Sequence, residues 1–444
     1  MMKKYEKYKE SGIEWLGEIP EHWKAMKLRR LTSVKRGASP RPIDDMIYFD
    51  ENGEYSWVRI KDVTASERYL EYTEEKLSEL GSSKSVKLEP GNLFLSIAGS
   101  VGKPIINKIK CCIHDGFVYF PDLELNVEYL YYIFTTGELY NGLGKVGTQL
   151  NLNTETVGGI TIPIPSSNEE IEKIVSFLDH QTAIIDDLIG QKEKLIALLK
   201  EKRQAIINEA VTKGLNPNAK MKDSGIEWLG EVPEEWKISK IKFVANIKGR
   251  IGYKGYTKDD LVLEGEGALT LGAKHIDKDN NINLSDPEYI SWAKYDESPE
   301  IMVKMDDVIF TQGGSLGKIC HINEDIGKAT INPSMVILTP LQIFPRYLYY
   351  WLTSNKIQKE VELLQANTAV PMISQFQLSN FPVILPTERE QIDITQYIDS
   401  IKLQFNELIF ANSTQITKLK DYRQSLISEA VTGKIDVRDW KPAN

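Results

Sequence analysis

Ser11 to Lys27 reads SGIEWLGEIPEHWKAMK, and Ser224 to Lys240 reads SGIEWLGEVPEEWKISK. Eight consecutive residues are identical, and Pro20, Trp23, Lys24 and Lys27 return as Pro233, Trp236, Lys237 and Lys240 at the same 213-residue offset. A second echo lies near the end of each half. RQAIINEAVT (Arg203 to Thr212) and RQSLISEAVT (Arg423 to Thr432) agree at seven of ten positions, 220 residues apart. Between these anchors only fragments correspond, such as LFLSIAGSVGK (Leu93 to Lys103) and VIFTQGGSLGK (Val308 to Lys318). Solenoids repeat over a few tens of residues, whereas this period describes two domain-sized copies with a common frame and different interiors.

Each copy ends in a stretch of helical period. Ile171, Ile174, Leu178, Gln181, Ile185, Leu188, Lys192, Leu195, Leu199, Lys202 and Ile206 alternate by three and four. Ile394, Ile398, Ile401, Phe405, Leu408, Asn412, Gln415, Leu419, Tyr422 and Leu426 repeat that seam 220 residues later. About 40 residues at about 1.5 Å each make a rod near 60 Å. That is long for a lone amphipathic helix on its own domain, the competing reading. Polar seam residues Gln181, Lys192, Asn412 and Gln415 cost stability but can fix register, so the two helices are expected to pair with each other.

Upstream of each helix, short apolar or alternating runs are broken by Gly, Asn and Pro. Strands are expected at 28–34, 55–60, 92–97 and 159–164 in the first copy and at 241–247, 308–311, 335–338 and 381–385 in the second. Shorter helices are expected at 127–135 and 347–354. Pro163 and Pro165, and Pro382 and Pro386, punctuate the joins to the long helices. The fold class is α+β, with a mixed part at 1–165, a long helix at 166–215, a second mixed part at 216–386, and a helix with a tail at 387–444.

Composition narrows the function. The 444 residues exceed one ordinary core, and 41% hydrophobic and 26% charged residues describe a globular chain with no apolar run long enough to span a membrane. The N-terminus does not read as a secretion signal, and the expected compartment is the cytoplasm. Cys111, Cys112 and Cys320 form neither a disulfide framework nor a metal-ligand spacing. There is no Walker loop, and the five histidines are dispersed. Asn332, Pro333, Ser334 and Met335 partly match the N-P-P-aromatic loop of amino-group DNA methyltransferases. The second proline, the aromatic and a glycine-rich adenosylmethionine loop are missing, so the fragment reads as a turn.

Nucleic-acid binding has better support, despite a net charge of -9. Lys24, Lys27, Arg29, Arg30, Lys35, Arg36 and Arg41 form a basic strip without an acidic residue. Lys237, Lys240, Lys242, Lys248, Arg250, Lys254 and Lys258 form another at the corresponding place. Either strip alone could be a solvated face; recurrence favours function. The turns Gly99 to Lys103 and Gly313 to Lys318 offer amides, hydroxyls and one lysine each to a phosphate backbone, or are plain hairpin turns. Base reading needs paired donors and acceptors, which Gln149, Asn151 and Asn153, and Gln312, Gln365 and Asn367, could supply. Candidate DNA contacts are therefore Lys35, Arg36, Arg41, Arg59, Lys61, Ser100, Lys103, Gln149 and Asn151, with Lys248, Arg250, Lys254, Lys274, Gln312, Ser315, Lys318 and Asn367. No catalytic or metal site is expected.

Taken in order, SGIEWLGEIPEHW and SGIEWLGEVPEEW, WVRIKDV (Trp57 to Val63), PIPSSNEEIEKIVSFLD (Pro163 to Asp179), PTEREQIDITQYID (Pro386 to Asp399) and the twin RQ-EAVT ends resemble the specificity subunits of type I restriction-modification enzymes. The resemblance covers essentially the whole chain. One departure is Glu169 with Glu170 where the family has a glutamate-glutamine pair, kept as Glu390 with Gln391 in the second copy. The resemblance implies that each mixed part is a target recognition domain and that the long helices form an antiparallel coiled coil with pseudo-twofold symmetry. It implies an asymmetric, bipartite site in double-stranded DNA with a spacer set by the helices. It also implies two modification subunits that methylate adenine with S-adenosylmethionine, and restriction subunits that use ATP and Mg. The chain itself would hold no cofactor and catalyse nothing. Two other functions stay open at this point: a self-sufficient adenine methyltransferase, disfavoured by its missing motifs, and a coiled-coil scaffold without a DNA role, disfavoured by the duplicated basic strips.

Overall fold

A computed structural model of the chain describes residues 3–141, 143, 145–146, 149–150, 152–250, 255–366 and 372–442. The chain forms two compact units, 1–192 with 414–444, and 193–413. Each unit is mixed α+β and is built on one plan.

The repeated motif explains why the frames agree. In the first unit Ser11 Oγ accepts from the Ile13 amide at 3.1 Å, the Ser11 amide donates to Gly17 O at 3.0 Å, and Gly12 and Gly17 take φ of 70° and 58°. In the second, Ser224 Oγ accepts from Ile226 at 3.2 Å, the Ser224 amide donates to Gly230 O at 3.0 Å, and Gly225 and Gly230 take 69° and 75°. These left-handed conformations suit glycine and close the hairpins Tyr8–Glu10 with Glu18–Pro20 and Met221–Asp223 with Glu231–Pro233. The motif then delivers Trp23 and Trp236, both buried, to the start of a long helix. Trp23 Nε1 donates to Glu170 at 3.0 Å and Trp236 Nε1 to Glu390 at 3.3 Å. The structure thus matches Glu170 to Glu390, so that Ile171 and not a second glutamate stands where Gln391 does.

Behind the motif, Lys24–Lys27 pairs antiparallel with Thr161–Ile164, and Lys237–Lys240 with Pro382–Leu385. The expected strands at 28–34 and 241–247 are displaced. A 3-10 turn occupies Leu28–Arg30 and a helical turn Ile241–Val244, and strands resume at Lys35–Arg36 and Ala245–Gly249. The reason is period: Ile241 and Val244 are both buried at a spacing of three, which a strand would split between its faces.

The sheet lobe of the first unit has two sheets. One runs Lys35–Arg36, Phe117–Tyr119, Leu93–Ser96, Pro104–Asn107, Tyr69–Leu70; the other Glu75–Leu77, Tyr55–Val58, Cys111–Ile113, Val86–Leu88. The second unit matches them with Ala245–Gly249, Met335–Pro340, Val308–Thr311, Ile319–His321 and with Leu261–Val262, Tyr289–Ser291, Gly267–Leu271, Ala329–Ile331. The two lobes share a parallel pair at the same place, Tyr55–Val58 with Cys111–Ile113 and Gly267–Leu271 with Ala329–Ile331, and the first lobe adds another, Tyr69–Leu70 with Pro104–Asn107. The helices Val127–Thr135 and Pro345–Leu352 bury their tyrosines, and their Tyr129 and Tyr347 hydroxyls donate to Val431 O and Val211 O, each at 3.1 Å.

The long helices run Asn168–Lys213 and Glu388–Val431. They pair antiparallel within each unit. In the first, Arg423 bonds Asp186 at 2.8 and 3.0 Å and Lys192 donates to Gln415; in the second, Arg203 donates to Asn406. Of the four polar seam residues Gln181, Lys192, Asn412 and Gln415 that the sequence assigns to register, Lys192 and Gln415 meet. No helix among the described residues is long and apolar enough to cross a membrane.

Candidate nucleic-acid interface

One end of the first sheet lobe is made of loops that hold each other. Strand Tyr55–Val58 ends at Arg59, whose amide is capped by Asp62 Oδ2 at 2.7 Å, and the helix Ile60–Ala65 begins. Thr64 on that helix meets Ser100 Oγ at 2.9 Å and accepts Lys103 Nζ on its carbonyl at 3.1 Å. Ile97 N donates to Gly116 O at 2.9 Å, which joins the 97–103 turn to the 114–116 turn. Gly37 passes so close to the His114 carbonyl that a Cβ there would lie 2.2 Å from its oxygen.

The second lobe repeats these joints with other residues. The Gly272 amide is capped by His275 Nδ1 at 2.9 Å, the role of Asp62. Gly99 and Gly314 have φ of 67° and 70°, Gly102 and Gly317 of 86° and 81°. The 114–116 turn, with Gly116 N on His114 Nδ1 at 2.8 Å, is matched by Ser334 N on Asn332 Oδ1 at 3.0 Å. The Asn332 to Met335 fragment is thus a structural turn, as the sequence reads it.

The predicted residues separate into groups. Lys35 and Arg36 are exposed on their strand, with Arg36 Nε donating to Asp115 O. Arg41 reaches Asp115 Oδ2 at 3.2 Å with its side chain 71% exposed, and Lys61 pairs with Glu74 while 55% exposed. Such pairs are worth little in water, so these cations can exchange a carboxylate for a phosphate. Burial opposes the charge of Asp115, but the Ser39 hydrogen bond and the charges of Arg36 and Arg41 outweigh it and hold the carboxyl below its ordinary value. Arg59 is less free, forked onto Glu75 at 2.7 and 3.0 Å, and Lys103 is held by Thr64. Ser100 is half-buried against Thr64.

In the second unit Lys248 and Ser315 are exposed. Lys274 pairs with Asp286 at 2.7 Å and Glu288 at 3.0 Å, two hydrogen bonds that raise its pKa. Gln312 Nε2 donates to Pro333 O at 3.3 Å, and the backbone carbonyl of Gln312 accepts the Ile373 amide at 2.9 Å. Lys318 Nζ closes onto Ala273 O at 3.1 Å and Ile276 O at 2.6 Å, and Arg250 is buried against Thr330 and Ile331. The geometry therefore makes Lys318 and Arg250 supports of the loops. Asn151, Lys254 and Asn367 lie outside the described residues, and of Gln149 only the backbone, in strand Gln149–Leu150, is described.

Sequence reading passed over Met372 and Phe376, which stand 54% and 76% exposed beside Gln312 and Gln375. It also passed over Arg68, Asp279 and the tyrosine pairs of YLYY (Tyr129, Leu130, Tyr131 and Tyr132) and its echo at Tyr347, Leu348, Tyr349 and Tyr350. That echo, 218 residues apart, was the available signal.

The thiols are poor nucleophiles: burial pushes Cys111 up to about 12, Cys112 to about 11 and Cys320 to about 12. Among the described residues no three His, Cys, Asp or Glu side chains are grouped as a metal ion would need.

Residues 20–198 match the family model described as the type I restriction modification DNA specificity domain. The chain is 23% identical over 443 residues to the type I restriction enzyme MjaIX specificity subunit of Methanocaldococcus jannaschii, covering 97% of each. Its fold is similar to a chain solved in a study of assembly and conformational transition of a type I restriction-modification system, with a TM-score of 0.70, 16% identity, and 93% and 98% of the two chains covered. It is also similar to the HsdS subunit of Thermoanaerobacter tengcongensis, with a TM-score of 0.52, 16% identity and coverage of 94% and 98%. Residues 20–198 are therefore similar to a type I restriction modification DNA specificity domain, and the whole chain is similar in sequence and fold to type I specificity subunits, which share its duplicated frame and paired long helices.

Proposed function

We propose that each sheet lobe reads one half of an asymmetric bipartite site in double-stranded DNA, that the long helices set the unread spacer, and that the chain docks two modification subunits and restriction subunits. The observation that carries this reading is the duplication of frame without duplication of content. The joints between loops recur in both lobes, while the groups they carry differ: exposed Lys35, Arg36, Arg41 and Lys61 in one, and exposed Lys248, Ser315 and Lys274 with half-buried Gln312 in the other. Exposed cations supply phosphate affinity, and the polar groups between them supply donors and acceptors for base edges. Half-sites about one helical turn apart, about 34 Å, would lie on one face of the duplex. Methylation of adenine with S-adenosylmethionine, and ATP- and Mg-dependent restriction, belong in this reading to the partners, and the complex works in the cytoplasm.

The test is to co-express the chain with its modification partner, purify the complex, and map methylated adenines by single-molecule sequencing. A split motif with one fixed spacer is the expected result. A continuous motif, or one indifferent to the presence of this chain, would overturn the proposal.

A further inference from the structure

Each unit ties its sheet lobe to the long helices through an ion cluster, and the two clusters have opposite sign. In the first unit Arg68, the residue before edge strand Tyr69–Leu70, supplies the cation. Its guanidinium lies 5.1 Å from the Tyr131 ring and 4.8 Å from that of Tyr132. Nε bonds Glu128 at 2.8 Å and Nη1 bonds Asp179, on the first long helix, at 2.5 Å; the Tyr132 hydroxyl donates to the same Asp179 oxygen at 2.7 Å.

In the second unit the position of Glu128 is taken by Arg346 and that of Asp179 by Asp399. They bond directly, Nε to Oδ2 at 2.6 Å and Nη2 to Oδ1 at 2.8 Å, and Tyr350 donates to Asp399 as Tyr132 does to Asp179. The cation over the tyrosine pair is now Lys402 of the second long helix, 5.5 Å from Tyr349 and 5.3 Å from Tyr350. The sheet lobe contributes an anion instead: Asp279, in the turn after Ala273–His275, lies 3.4 Å from Nη2 of Arg203 on the first long helix. Burial, with Arg346 and Arg203, lowers the pKa of Lys402, while Asp399 and Asp279 oppose that shift, so both carboxylates act on this ammonium.

We propose that Arg68 and Asp279 are positioning residues that hold each sheet lobe at a fixed angle on the long helices and thereby keep the two half-sites at one spacing. The inference rests on the bipartite reading above. The arginine of each pair is largely shielded, Arg68 at 17% and Arg203 at 15% exposure, so these contacts are less screened than ion pairs with both partners in water. A lobe that could rock would accept a half-site displaced by one base pair, about 3.4 Å along the duplex and about 34° around it. The reversed sign also makes the attachments non-interchangeable, because an arginine in the place of Asp279 would face Arg203, Arg346 and Lys402.

The experiment compares the methylation maps of complexes carrying the original chain, Arg68→Met, and Asp279→Asn. The expected result keeps both half-site sequences and raises methylation at sites with a spacer one base pair longer or shorter by about fivefold or more. Arg68→Glu should loosen the spacer likewise, and adding Glu128→Arg, which gives the first cluster the sign of the second, should restore it. A split motif whose spacer stays equally strict in both neutral variants, with methylation unchanged or uniformly weaker, overturns the positioning role alone. A continuous motif from the original chain overturns the bipartite reading and this inference with it. Asp279 is 46% exposed on its side chain, so Asp279→Asn carries the test even if Arg68→Met does not fold.

Discussion

Glu170 shows how much one side chain of the repeated frame supports. It is buried and accepts from the Tyr5 hydroxyl at 2.9 Å, His22 Nε2 at 3.2 Å and Trp23 Nε1 at 3.0 Å. Glu390, its counterpart, takes one such bond from Trp236 at 3.3 Å and otherwise caps its own helix, accepting the Thr387 amide at 3.0 Å. An unsatisfied buried donor costs about 1–3 kcal/mol, so Glu170→Ala should lower local stability by about 3 kcal/mol and Glu390→Ala by about half that. Hydrogen exchange over residues 20–30 and 232–242 measures the two openings, and a larger effect at Glu390 would refute the comparison. Trp23 and Trp236 were legible in the sequence as repeated residues. Their carboxylate partners were not, because a buried glutamate at a helix start looks like an ordinary capping residue.

At the scale of elements, the long helices were legible nearly to their ends because a seam of period 3.5 over this length has no alternative packing. The strands at 28–34 and 241–247 were misread because a single turn with buried residues three apart cannot be told from a short strand by composition. The pairing of Lys192 with Gln415, and of Asp186 with Arg423, fixes the levels at which the helices face each other. Removing one heptad from each long helix at matched levels should therefore keep the seam and shorten the rod by about 10 Å, which is about three base pairs of spacer. The methylation map of that variant decides it: an unchanged spacer would mean that the helices do not set the distance.

For the whole molecule, a net charge of -9 and a DNA-directed function are compatible because binding follows local exposed charge and not its sum, and Lys35, Arg36, Arg41, Lys61 and Lys248 are exposed. If phosphate contacts dominate, the affinity of the assembled complex for its site should fall linearly on logarithmic axes as salt rises, by roughly a thousandfold between about 50 and 200 mM. A near-flat dependence in a binding titration would show that Lys35, Arg36, Arg41, Lys61 and Lys248 do not meet phosphates.

The sequence by itself determined the duplication, the α+β class and the long helices, because each of these is written in periodicity or in identity between the copies. Only the tertiary structure decided which cations are free. Arg250 and Lys318 belong to the same repeated patterns as Lys248 and Ser315, yet one is buried against Thr330 and the other closes onto two carbonyls. It alone also placed Arg68 against Asp179 and Asp279 against Arg203. Burial and partnership depend on residues far apart in the chain, so no local reading of charge could have sorted these residues.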